Sequence, residues 1–313
     1  MTTTRPLDWP LLENTDPTLA RPLPDALGRA RSDVMAAAEK LLAIPESALT
    51  RPWAWIGGSE EEVRYGAYRA AEALEQAETE ARVLATASDA GETRAARIVG
   101  HATTARWDLH GIVAALSDAD LDADPGGGEW TIRLTLGHTI ASQRAYGWGT
   151  AWWLANPHDA NDPELPERVP EEVWSAMPDE ATTEAEGSLA DLRSRLDAVL
   201  DLATERLAGS TDDRLGQGAR WSGFPVTIAF RLGRWSSHIR EHTIQIEKTL
   251  VMLGRTPTEP ERLARNLLAA YGRAESTVFG RASGADIDRA AERIAAGAAE
   301  AREAIRSAAG AIA

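Results

Sequence analysis

Ser237-His238-Ile239-Arg240-Glu241-His242 is a stretch of the 313-residue chain that places two histidines four positions apart. On an α-helix, positions i and i+4 lie on one face, about 5–6 Å apart at Cβ. The surrounding segment, 225–252, is rich in apolar residues and predicts a largely buried helix. Buried imidazoles need polar partners, because an unsatisfied polar group costs about 1–3 kcal/mol. A divalent metal ion bound by both rings would be such a partner, although surface helices also produce this spacing by chance.

A third histidine, His138, lies in a similar apolar setting between Leu136 and Ile140. On its own, such a residue is more typical of a core histidine that is hydrogen-bonded to a neighbouring polar group. Together with His238 and His242 it completes a set of three imidazoles. Three neutral nitrogens with an open coordination position are typical of a catalytic metal site rather than a structural one.

The remainder of the sequence predicts an all-α protein. Strand signals are scarce, whereas Ala-, Leu-, Glu- and Arg-rich stretches with apolar residues three and four apart are frequent. The first 23 residues contain four prolines and predict an extended arm. A long acidic loop is expected over 156–178. The predicted helices are 24–43, 59–86, 90–116, 130–155, 187–208, 225–252, 259–279 and 285–311.

A weak internal repeat suggests how these helices are grouped. Similar segments, 44–50 and 116–122, each follow one predicted helix and precede another. The repeated unit is a helical hairpin, and two hairpins make a four-helix bundle. We expect residues 87–253 to form one bundle that binds the metal. Residues 24–86 and 254–313 would flank it as a second, degenerate bundle, in which Arg69 takes the place of His138.

Composition excludes several functions. The formal net charge of −15 disfavours binding to nucleic-acid phosphates. No stretch reaches the roughly 18 apolar residues of a membrane span, and the N-terminus does not resemble a signal peptide, so a cytoplasmic protein without a membrane partner is expected. The chain has no cysteine, so disulfides and thiolate nucleophiles are excluded. Any metal must therefore be held by His, Asp or Glu.

Two sequence blocks resemble the DinB/YfiT-like superfamily. The first is Glu129-Trp130-Thr131-Ile132-Arg133 followed by Gly137-His138, and the second runs from Trp235 through His238, Glu241 and His242 to Gln245-Ile246. The resemblance covers about residues 87–253. It implies a four-helix bundle in which His138, His238 and His242 bind a divalent metal. For an imidazole-only site, Zn or Ni is expected first and Fe is a further option. The family includes thiol S-transferases that use mycothiol or bacillithiol, putative hydrolases and members without known activity.

This resemblance favours a metal-dependent enzyme that transfers a low-molecular-weight thiol to an electrophilic small molecule. Such a thiol carries carboxylates, so cations are expected nearby, and Arg231 and Arg234 lie on the same side of the helix as His238. Salt bridges with surface acids are an equally good interpretation of both arginines. Trp235 belongs to this candidate cofactor-binding group. Ser142, one turn from His138, is placed to contact a water molecule on the metal.

Three alternatives remain open. A metal-dependent hydrolase of a small amide or ester would use water in place of the thiol. A peptidase is a further option, because His238-x-x-Glu241-His242 is also the inverted zincin motif with Glu241 as general base. Glu241 is otherwise interpreted as a carboxylate that orients an imidazole or pairs with an arginine. Finally, the chain could be a non-catalytic metal- or ligand-binding bundle, and homodimerisation is a class expectation for such bundles.

Overall fold

The computed structural model describes residues 5–54, 59–87 and 92–312. Residues 1–4 of the predicted arm and residues 90–91, at the predicted start of the third helix, lie outside this range. The described part of the chain is predominantly helical, which confirms the predicted all-α class. Its α-helices are α1 (Leu11–Asn14), α2 (Asp25–Leu42), α3 (Arg64–Ala87), α4 (Arg94–Val113), α5 (Asp118–Leu121), α6 (Ile132–Ala155), α7 (Glu171–Ser175), α8 (Leu189–Leu207), α9 (Asp212–Leu215), α10 (Ile228–Met252), α11 (Glu259–Ser276) and α12 (Ala285–Gly310).

Four of the long helices, α4, α6, α8 and α10, surround one hydrophobic core. Each helix packs against two of the others, as in a four-helix bundle. The core contains the fully buried indoles of Trp148, Trp153 and Trp235. These large aromatic side chains bury much apolar surface and therefore contribute strongly to the stability of the core.

The flanking helices α2, α3, α11 and α12 surround a second core, built mainly from alanine, leucine and isoleucine. Small side chains allow these helices to approach closely. A Cβ on Gly66 would lie 2.4 Å from the Cβ of Ala308, so this contact requires glycine. The flanking hairpins predicted from the sequence are thus packed together, and α4 contacts α11 where the two groups meet.

Some local predictions were wrong. Instead of one extended arm, residues 5–23 contain α1 and a 3₁₀ turn, Pro17–Leu19, because Trp9 and Leu11 are buried in the core beside α6. The loop expected over 156–178 contains the short helix α7. Two antiparallel strand pairs also occur in the described residues: β1 (Pro52–Ala54) pairs with β2 (Glu60–Glu62), and β3 (Gly218–Trp221) pairs with β4 (Phe224–Thr227). No helix in the described ranges is both long and apolar enough to cross a membrane.

Candidate metal centre

The candidate site lies between α6 and α10, which run antiparallel. Each helix begins at a threonine whose side chain accepts a hydrogen bond from the backbone of the first turn: Thr131 accepts from Leu134 and Thr227 from Phe230. Contacts between the helices follow in opposite chain order, from Lys248 with Glu129 to Arg231 with Thr150. The register brings His138 of α6 opposite His238 and His242 of α10.

The three predicted histidines converge. One ring nitrogen of each lies within 4.8 Å of one ring nitrogen of both others. The Nε2 atoms of His238 and His242 are 3.0 Å apart. Both of these side chains are buried, while His138 is partly exposed. The arrangement therefore has a buried side and a side open towards solvent, at His138.

Two of the imidazoles have an acceptor on the nitrogen that points away from the cluster. Nδ1 of His138 lies 3.1 Å from both carboxylate oxygens of Glu180. Nδ1 of His242 lies 2.9 Å from Oε1 of Gln245. An acceptor on Nδ1 holds the proton there and leaves the Nε2 lone pair for a metal ion. Nδ1 of His238 is buried without a hydrogen-bond partner among the described residues.

Glu180 reaches His138 because of a close contact at Gly137. A Cβ at position 137 would lie 2.5 Å from the Cβ of Ala185, so only glycine allows this segment to pack against α6. The segment Glu180–Glu184 forms one π-helical turn. The buried Glu184 carboxylate accepts a 2.6 Å hydrogen bond from Nε of Arg144 on α6. These contacts place Glu180 beside His138.

Electrostatics keep the buried imidazoles neutral. Burial, together with the neighbouring His242 and His138 rings, lowers the pKa of His238 to about 3. Burial also lowers the pKa of His242. Neutral imidazole is the form that binds a metal ion, because the protonated ring has no free lone pair.

The donor set fits a divalent metal. In a tetrahedral site with metal–nitrogen distances of about 2.0–2.1 Å, two ligand nitrogens are about 3.3 Å apart. The 3.0 Å separation of the two Nε2 atoms on α10 is close to this value. Without a metal ion, these two Nε2 atoms can share at most one proton, as donor and acceptor of one hydrogen bond. A metal ion would instead accept the lone pairs of both Nε2 atoms. An imidazole-only donor set suits Zn, Ni, Cu and Fe.

Of the other predicted residues, Ser142 lies beside the histidines, whereas Glu241 and Trp235 have other surroundings. Ser142 belongs to the site, because its Oγ lies 3.3 Å from Nε2 of His138. Glu241 is half-exposed and bound to Arg234 through contacts of 2.9 and 3.1 Å. This ion pair lowers the pKa of Glu241 and makes its carboxylate a weaker base, which disfavours the peptidase interpretation. The Trp235 side chain is fully buried in the bundle core.

Sequence reasoning missed one residue of the site. Glu180 lies 42 positions from His138 and follows the acidic loop, where its spacing gives no signal. Tyr146 lies two turns beyond His138 on α6, and its ring centroid is 5.2 Å from that of His238. The i, i+4, i+8 series of His138, Ser142 and Tyr146 indicates one common helix face.

Comparison with known proteins supports the family resemblance. Residues 101–246, a little under half of the chain, match the model of the DinB superfamily, which confirms the resemblance over this range. The matched range contains all three histidines. Among solved structures, the chain is similar to YfiT from Bacillus subtilis, described as "a probable metal-dependent hydrolase with an unusual four-helix bundle topology". The identity is 20%, the TM-score is 0.39, and the match covers 52% of this chain and 89% of YfiT. No curated protein matches the sequence.

Proposed function

We propose that the protein is a metal-dependent enzyme that transfers a low-molecular-weight thiol to an electrophilic small molecule. His138, His238 and His242 would be the protein ligands of one divalent ion. The observation that carries this proposal is the convergence of three imidazoles, two of which have Nδ1 engaged by Glu180 and Gln245. When bound, such an ion acts as a Lewis acid and supplies a nucleophile at neutral pH from a thiol or from water.

The residues of the chain would divide the remaining work. Glu180 and Gln245 hold two imidazoles in the tautomer that presents Nε2 to the centre. Ser142 offers a hydroxyl beside His138, on the more exposed side of the cluster, where it can orient an entering ligand. Since the chain has no cysteine, the thiol must come from a small molecule.

A metal-dependent hydrolase of a small amide or ester is the second candidate. The position of Ser142 supports this candidate too, because a hydroxyl 3.3 Å from Nε2 of His138 can hold a water molecule for attack. The two candidates share the three histidines and differ in the nucleophile. They are therefore separated by the co-substrate requirement rather than by the ligand set.

The test begins with the metal content of the purified, tag-free protein, measured by elemental mass spectrometry. We expect about one equivalent in the wild type and little in His138→Ala. His101→Ala is the matched control, since His101 is an exposed histidine of α4 and should leave the metal content unchanged. A full equivalent retained in His138→Ala would contradict the ligand assignment.

The metal-loaded protein is then assayed for loss of free thiol with a panel of small thiols and an activated aryl halide. Thiol consumption that requires His138 supports the transferase. Cleavage of activated esters without any thiol would instead support the hydrolase. Metal binding with neither activity over the background rate would favour the non-catalytic bundle.

A further inference from the structure

One buried arginine differs from the others in lacking a carboxylate partner. Three arginine side chains are buried in the described part of the chain, Arg106, Arg144 and Arg231. Arg106 binds Asp201 and Glu275, and Arg144 binds Glu184. Arg231 has no carboxylate oxygen within 4.0 Å among the described residues. Its Nε and Nη1 donate to the neutral oxygens of Thr150 and of the Arg220 backbone.

A buried cation without an anion is costly, because desolvation is not repaid by an opposite charge. Burial lowers the pKa of Arg231 to about 10, so the guanidinium is still positively charged at neutral pH. Gly149 provides the space for this group, since a Cβ there would lie 2.5 Å from Nη2 of Arg231. The fold thus keeps a positive charge in a position where a bound anion would stabilise it.

Arg231 lines a cavity of about 350 Å³. The walls include two further arginines, Arg168 and Arg220, neither of which has a carboxylate within 4.0 Å in the described residues. Glu167 also lines the cavity, so the lining carries a positive excess. The apolar part of the wall is aromatic, with Tyr146, Trp174 and Trp221. This combination matches a small ligand that has one anionic group and one flat apolar group.

The cavity lies along the same helix faces as the histidines. Tyr146 lines the cavity and also contacts the ring of His238. On α10, Arg231 precedes His238 by seven residues, which is nearly two turns and about 10 Å along the axis. A ligand whose anionic end lies at Arg231 could therefore extend past Tyr146 to the histidine cluster.

We propose that this cavity is the carboxylate subsite of the enzyme and that its substrate is a small aromatic carboxylate. Arg231 binds the carboxylate, Arg168 and Arg220 add positive charge at the cavity wall, and the indole and phenol rings contact the aromatic group. The part of the inference that concerns the substrate rests on the proposed function, whereas the binding of an aromatic carboxylate to the cavity does not.

The first experiment is calorimetric titration of the full-length protein with phenylacetate, phenylacetamide and inorganic phosphate. We expect saturable binding of phenylacetate, with the neutral amide and phosphate at least about tenfold weaker. Arg231→Gln should weaken phenylacetate binding about 10- to 100-fold. Arg240→Gln, an exposed arginine of the same helix, is the matched control and should have no effect. Equal binding of acid and amide, or no saturable binding of either, would overturn the proposal.

Two further variants make the result independent of the folding of Arg231→Gln. Arg168 is exposed, so Arg168→Gln should fold normally and still weaken phenylacetate binding a few-fold. His138→Ala should bind phenylacetate as the wild type does, because no histidine of the described ranges lines the cavity. Phenylacetate binding without any metal content would refute the proposed function and leave the subsite intact. Metal binding without phenylacetate binding would refute the subsite and leave the proposed function intact.

A two-headed ligand tests whether the cavity and the histidines serve one substrate. An aryl carboxylate with a terminal hydroxamate, a metal-chelating group, should bind the metal-loaded protein more tightly than the same molecule with a terminal amide, because both ends are engaged. The gain should disappear in His138→Ala and in Arg231→Gln. No gain in the metal-loaded wild type, for any linker spanning about 8–12 Å, would refute the assignment of the substrate.

Discussion

Gly137 and Ala185 are in such close contact that any side chain at position 137 would collide with the Ala185 Cβ, 2.5 Å from an added Cβ. Position 137 directly precedes His138, and Ala185 ends the turn that carries Glu180. The glycine therefore does more than pack two segments together. It sets the distance between an imidazole and the carboxylate that orients it.

Replacing Glu180 by glutamine should weaken metal binding. The amide keeps the size of the side chain but removes the negative charge beside Nδ1 of His138, and loss of such an outer partner typically costs about 10- to 100-fold in metal affinity. The metal dissociation constant is measured by competition with a chromophoric chelator.

Glu186→Gln is the control for Glu180→Gln, because Glu186 is an exposed carboxylate that follows the same turn. This control should retain the wild-type dissociation constant. A wild-type value in Glu180→Gln as well would show that the contact with His138 does not contribute to metal binding.

Glu241→Gln should leave the metal content unchanged. In the structure this carboxylate binds Arg234 rather than an imidazole, and the pair is half-exposed. We expect a decrease of about 0–1 kcal/mol in the free energy of unfolding, as for other solvent-accessible ion pairs. Elemental analysis and urea denaturation check both parts. Loss of the metal in this variant would restore Glu241 to the site, as the zincin-like spacing suggests.

The histidine cluster could be predicted from the sequence because helix periodicity relates spacing to geometry. His238 and His242 share a face at any point of a regular helix. The apolar setting of His138 predicts a buried position, whereas its side chain is partly exposed. Glu180 could not be predicted in this way. Its position depends on one π-helical turn and on the missing side chain of Gly137, and neither has a periodic signal.

The hairpin wall of the cavity at Arg231 escaped prediction for a related reason. Part of the cavity wall is formed by the β3–β4 hairpin, where the sequence predicted a helix start. Ser222 and Gly223 both have positive φ, 47° and 86°, as a tight two-residue hairpin turn of type I′ requires. The common Asn-Gly signal is absent, and Ser-Gly takes its place.

His110 should make the stability of the protein fall at mildly acidic pH. Its Nε2 lies 2.8 Å from Asp197 and its Nδ1 accepts from Arg193, so the ring is held neutral. Burial lowers its pKa in the folded state, against the opposing effect of Asp197. The unfolded chain therefore binds this proton first as the pH falls below about 6.5. The contribution of His110 to the free energy of unfolding is fully present above that pH. It decreases below that pH, by at most about 1.4 kcal/mol per pH unit.

Urea denaturation at pH 7 and pH 5 measures the effect, with His110→Gln as the comparison. Glutamine keeps a donor for Asp197 but does not titrate. Histidines 238 and 242 contribute equally to both proteins, so the difference between the two pH dependences isolates His110. Identical losses of stability in wild type and variant would contradict a neutral, buried His110.

Two glycines on helices of the flanking bundle should respond in opposite ways to substitution by alanine. Gly297 on α12 faces α3, where a Cβ would lie 2.5 Å from the Cβ of Ala77 and 3.0 Å from the carbonyl oxygen of Ala73. Gly297→Ala should therefore destabilise the protein by about 1–3 kcal/mol through overpacking. On α2, an added Cβ at Gly28 would have no atom of the described residues within 4 Å. Gly28→Ala should stabilise the protein by about 0.5–1 kcal/mol through helix propensity. Thermal and urea denaturation of both variants measure the difference, and equal effects would contradict the close approach of α3 and α12.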